Sequence, residues 1–77
     1  MTGVIQTLEY EDQEVVYQVL SVALPRLTQM QTRCLLLTFW GLTQELIGRI
    51  LGVGQRAVST HVSNAFAVIE DAAEEFV

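Results

Sequence analysis

Lysine is missing altogether, and cysteine, histidine, proline and tryptophan occur once each. A single cysteine, Cys34, excludes an internal disulfide, and a lone thiol suits a reducing cytosol, so a cytoplasmic setting is expected. One cysteine and one histidine also exclude an ordinary zinc site, and no metal or other cofactor is expected. No run of apolar residues reaches the roughly 18 needed to cross a bilayer, so no membrane partner is expected. The first residues lack a basic segment followed by an apolar one, the pattern of an export signal. Nothing pairs a nucleophile with a base, sets an acid beside a base in a pocket, or forms a phosphate loop. The chain is therefore not expected to be an enzyme.

Without lysine, the positive charge rests on four arginines and the net charge is −5, the wrong sign for tight non-specific binding to nucleic acid. The charges are unevenly placed. Residues 1–14 carry −4, residues 15–69 carry +3 through Arg26, Arg33, Arg49 and Arg56 against Glu45, and residues 70–77 carry −4. A mildly basic centre thus lies between two acidic ends. Seventy-seven residues make one domain, and a chain of this size buries only about 60–65% of its unfolded surface, so association would help it.

The stretch TQELIGRILGVGQRAVSTHVSN, residues 43–64, reads as two short helices joined by a tight turn. Thr43 is a helix cap. Ile47, Ile50 and Leu51 recur at helical spacing and mark one buried face. Gly52 stops the first helix because glycine enters the left-handed conformation without steric cost. Val53 plugs the corner, and Gln55 begins a second helix with Val58, Val62 and Ala65 inward. Gly48 falls where two steeply crossing helices would touch. This spacing is that of a helix-turn-helix.

In chain order, residues 1–8 are expected to be loose, and a first helix to run from Glu9 or Glu11 to Ala23, within an N-terminal unit 9–24, with acidic residues in its first turn. Val15, Val16, Val19, Leu20 and Ala23 form its apolar stripe, and Pro25 ends it. Thr28 and Gln31 make a capping box for a second helix, Gln29 to Phe39. Cys34 on that helix is a small buried hydrophobe, and Trp40 is expected in the core. The core unit spans 28–69. In the last helix Val58, Val62, Ala65, Ile69, Ala72 and Phe76 are spaced 4-3-4-3-4, a heptad seam that continues into an acidic helical end, 70–77. Phe66, Ala73 and Val77 widen that face. The seam either folds back on the first helix or, as expected here, packs against a second copy through Ile69, Ala72, Ala73 and Phe76. The fold expected is all-α, with four to five helices, a helix-turn-helix and an extended C-terminal helix.

From Leu24 onward, LPRLTQMQTRCLLLTFWGLTQELIGRILGVGQRAVSTHVSNAFAVI resembles region four of bacterial sigma factors and the related LuxR-type DNA-binding domain. Leu24-Pro25 with Leu27-Thr28, the Leu35-Leu36-Leu37 run, Gly41-Leu42-Thr43, Ile47, Leu51-Gly52-Val53, Val58 and Ala65 carry the resemblance. The helix before the proline is closer to the sigma version, and Thr60 to Asn64 closer to the LuxR version. Leu46 stands where the family usually has a glutamate. Gly54 stands where a serine or threonine often caps the recognition helix. Asn64 and Ala67 stand where sigma factors often carry arginine or lysine.

The resemblance implies a transcription regulator that binds double-stranded DNA, with the fourth helix in the major groove and its outward residues Gln55, Arg56, Ser59, Thr60 and Ser63 leading. Arg56 suits guanine and Gln55 adenine. Ser59, Thr60 and Ser63 suit phosphate, with Arg49 and Arg33 in support. His61 is expected to pack rather than touch phosphate. A homodimer is expected, since one weak module gains from two half-sites. The alternative is a module of region-four descent that contacts RNA polymerase or another transcription factor, with Leu46 and the acidic ends at the interface.

Overall fold

The structure, a computed structural model, describes residues 11–76, with side chains from 13 onward. The expected loose segment 1–8, a helix start at Glu9, and Val77 lie outside the described residues. Among those described, the chain forms four α-helices and no strand. Helix α1 is Glu11–Ala23, α2 is Gln29–Phe39, α3 is Gln44–Leu51 and α4 is Gln55–Glu74, with a 3-10 turn at Leu24–Arg26.

Local chemistry sets these boundaries. Helix α1 ends at Ala23, two residues before Pro25, as expected; the proline then takes an early place in the 3-10 turn, where its missing N–H costs nothing, and Leu27 N–H closes that turn on the Leu24 carbonyl at 3.2 Å. At the start of α2 the capping box is complete. Thr28 Oγ1 accepts from Gln31 N–H at 3.1 Å, and Gln31 Oε1 accepts from Thr28 N–H at 3.0 Å. Gly41, at φ +93°, turns the chain after α2.

Two apolar clusters hold the helices. The larger joins α2, α3 and α4 through Cys34, Ile47, Val58 and Val62, with Met30, Leu37, Leu42, Leu51 and Val53 against them. The second joins α1 to the far half of α4 through Val19, Ala23 and Ala72, with Val22, Val68, Ile69 and Ala73 around them. The seam of α4 is therefore divided. Val58, Val62 and Ala65 are buried near the start, while Ile69, Ala72 and Ala73 are covered by α1 of the same chain rather than left for a second copy. Of the expected dimer contacts, Leu46 and Phe76 remain exposed. Arg26 reinforces this docking through an ion pair with Glu75 at 2.8 Å. Both groups are about half exposed, so the pair contributes at most about 1 kcal/mol.

Several apolar residues expected inside lie outside. The described chain measures 40 × 26 × 14 Å, so the short axis leaves little depth for burial. Helix α1 has one long neighbour, α4, and that covers a narrow line at Val19, Val22 and Ala23 while Val15 and Val16 stay exposed. Ile50 is 55% exposed, because α3 buries the line through Ile47, Gly48 and Leu51. Trp40 is 77% exposed, since it caps α2 just where the chain turns away at Gly41.

Cys34 is fully buried, as expected. Burial raises its thiol pKa because the thiolate would lose its hydration. A group whose folded pKa is raised contributes stability below its unfolded pKa and loses that contribution as pH rises through the folded value. At mildly alkaline pH a thiol reagent is expected to label the folded chain slowly and the denatured chain quickly; equal rates would contradict this burial.

Candidate nucleic-acid interface

The geometry of residues 43–64 comes from two helix starts and one close approach. Thr43 Oγ1 accepts from Leu46 N–H at 3.2 Å, capping α3. The box is one-sided, because Leu46 has no polar group to return to the Thr43 N–H. At the other end Gly52 sits at φ +74°, and both its N–H and that of Val53 return to the Gly48 carbonyl, the latter at 2.9 Å. Val53 packs on the larger core and fixes the corner.

Gly48 is buried, and the close approach it permits is to the backbone of the turn. A Cβ there would lie 2.6 Å from the Val53 carbonyl oxygen and 3.5 Å from the Gly54 carbonyl carbon. The turn between the helices is thus only three residues, Gly52 to Gly54, folded down onto α3.

Gly54 caps α4 in an extended conformation with no side-chain hydrogen bond. Its carbonyl accepts from Val58 N–H at 3.1 Å, so the N–H groups of Gln55, Arg56 and Ala57 have no partner within the helix. The positive end of the α4 dipole and these N–H groups point the same way, which favours an anion. A Cβ on Gly54 would meet nothing within 4 Å. Gly54→Asp is therefore expected to stabilise the fold by about 1 kcal/mol, through a cap and a less flexible unfolded chain. Thermal melting should rise by roughly 4–8 °C. An unchanged or lower melting temperature would show that Gly54 is constrained for another reason.

The turn sets the starts of α3 and α4 side by side. Gln44, the first residue of α3, and Gln55, Arg56 and Ser59 from the first turns of α4 line one open concavity. One turn along the same two helices, Ile47 and Val58 are fully buried in the larger cluster, so the residues of the concavity stand on elements anchored in an apolar core. Its lining is polar, and Arg56 supplies its one full charge.

Three of the expected DNA-facing residues, Gln55, Arg56 and Ser59, are thus brought together. Thr60 is exposed on the same helix, and its hydroxyl donates to the Arg56 carbonyl at 3.1 Å. Ser63 is exposed a turn further on and does not line the concavity. Arg49 is exposed in the last turn of α3, 3.8 Å from Glu45, a pair too open to hold it fixed. Arg33 is exposed on α2, outside the concavity. His61 is half-buried.

Gln44 was not anticipated. The available signal was its place: it follows the cap Thr43 as Gln55 follows the cap Gly54, so both helices begin with glutamine. Also unanticipated is a group of exposed apolar residues on α2, its cap and α4, Leu36, Phe39, Trp40 and Phe66. Comparison with known proteins returns no matching family model, no matching curated protein and no matching solved structure.

Proposed function

We propose that α3, the Gly52–Gly54 turn and α4 act as a helix-turn-helix that binds double-stranded DNA sequence-specifically, and that the protein is a transcription regulator. The observation that carries this reading is the polar concavity of Gln44, Gln55, Arg56 and Ser59 on two helices anchored in an apolar core. A major groove about 12 Å wide admits one helix, and the leading end of α4 presents the side chains suited to base edges. Arg56 would donate two hydrogen bonds to guanine and Gln55 would pair with adenine. The free N–H groups at the start of α4, with Ser59, Thr60 and Ser63, would hold phosphates, and Arg49 would reach a flanking one. The resemblance of residues 24–69 to sigma region four and LuxR-type domains supports the same reading.

Selection of duplexes from a random pool, followed by gel shift, tests it. A recovered sequence bound at least about a thousandfold more tightly than random duplex is the expected result, since specific binders discriminate by 10³ or more. Four arginines per chain, two of them already in ion pairs, imply a shallow salt dependence, with a log–log slope below roughly 4 in magnitude per protomer. A steeper slope would refute this account of the charge.

A second reading is favoured by the exposure of Leu46 beside the acidic Glu45. Under it the domain would contact RNA polymerase or another transcription factor, and DNA binding would be weak or absent.

A further inference from the structure

We propose that the face formed by Leu36, Phe39, Trp40 and Phe66 joins two copies of this chain about a two-fold axis, with Arg33 of each copy meeting the partner's Glu70. This stands apart from the DNA-binding reading, and either can fail without the other.

Phe39 and Phe66 touch edge to face, with ring centroids 6.3 Å apart and planes at 74°. Yet Phe39 remains 68% exposed, and Leu36 and Phe66 are exposed as well. Leu36 lies three residues before Phe39 and four before Trp40, so the three share one face of α2. The four residues are therefore one continuous surface from α2 across to α4. Taking about 150–250 Å² for each aromatic side chain and the exposed part of each, the face offers on the order of 500 Å² of apolar surface. A stable complex needs about 800 Å² from each partner, so this face supplies well over half of it and a surrounding polar rim of about 300 Å² would supply the rest.

The rim supplies the choice of partner. Along α2 and α4 the residue numbers rise together, because Cys34 clusters with Val58 and Val62 while Phe39 meets Phe66. Arg33 stands one turn before Leu36, at the leading end of the apolar face, and Glu70 stands one turn after Phe66, at its trailing end. Both are exposed, and among the described residues neither forms an ion pair. A two-fold axis lying across the helix direction reverses this order in the other copy, so each positive end lies against a negative one. A self-complementary patch of this kind makes a closed dimer.

Sedimentation of the full chain over a concentration series, with the fluorescence of Trp40 as the reporter, tests the proposal. The expected result is a reversible monomer–dimer equilibrium in which Trp40 emission moves to the blue as dimer forms. Leu36→Glu should weaken the dimer by at least about tenfold, or about 1.4 kcal/mol, with the helical circular dichroism unchanged. Arg33→Glu should do likewise, and adding Glu70→Arg to it should restore the dimer. A strict monomer at every concentration would overturn the proposal. So would a dimer indifferent to Leu36→Glu, or an Arg33→Glu defect that Glu70→Arg leaves unrepaired. A monomer whose Trp40 emission is already blue, and turns red on removal of residues 1–10, would show that the chain's own start covers the face. Capture of a different protein by a chain that stays monomeric would equally exclude the second copy.

Discussion

Gly48→Ala is expected to destabilise the fold by about 1–3 kcal/mol, the usual cost of forcing an extra group into a filled site. Helix propensity works in the opposite direction, since alanine in a helix interior is favoured over glycine by roughly 0.5–1 kcal/mol. A measured loss would therefore report the clash itself. The methyl group would lie 2.6 Å from the Val53 carbonyl oxygen, which belongs to backbone and cannot swing aside as a flexible side chain would. Gly52 provides the contrast. A Cβ there has open space, and the cost comes only from φ +74°. Asparagine, which tolerates the left-handed region, is expected to replace Gly52 with little loss and Gly48 with a large one. Urea or thermal unfolding of Gly48→Ala, Gly48→Asn and Gly52→Asn would separate the two roles. Equal tolerance at both positions would mean that α3 and the turn are not in close contact.

Arg56→Ala is expected to weaken binding to a selected duplex by about 1–3 kcal/mol, or roughly 5- to 150-fold, and to relax preference at one base pair. Stability should be unchanged, because Arg56 is exposed and makes no ion pair among the described residues. Replacement of Arg49 should instead weaken binding to all duplexes alike and reduce the salt slope by about one. If Arg56→Ala leaves DNA binding intact, the concavity is not a base-reading surface, and the protein-interaction reading with Leu46 at its centre gains. Gly54→Asp complements this test. It should raise stability while weakening DNA binding, since a carboxylate would occupy the N–H groups offered to phosphate and repel it.

The helix boundaries were legible in the sequence because they depend on local chemistry. Thr28 with Gln31, Thr43 and Gly52 each satisfy or release backbone groups within four residues, and α2, α3 and the start of α4 lie where those residues place them. Burial was less legible, because it depends on neighbours. Trp40 and Ile50 are apolar and helical in spacing, yet the turn at Gly41 and the narrow contact of α3 leave both facing outward. Likewise the seam of α4 announces an apolar face without naming its partner. The structure assigns Ile69, Ala72 and Ala73 to α1. Within the site, Gln55, Arg56 and Ser59 could be placed from the periodicity of one helix. Gln44 needed the relative position of two helices, which periodicity does not contain.

Backbone amide shifts during titration with a selected duplex address most directly whether the paired helix starts read DNA. The changes should centre on Gln44, Gln55, Arg56 and Ser59, with α1 and the far half of α4 unaffected. Changes confined to Leu36, Phe39, Trp40 and Phe66, or none with any duplex, would contradict it.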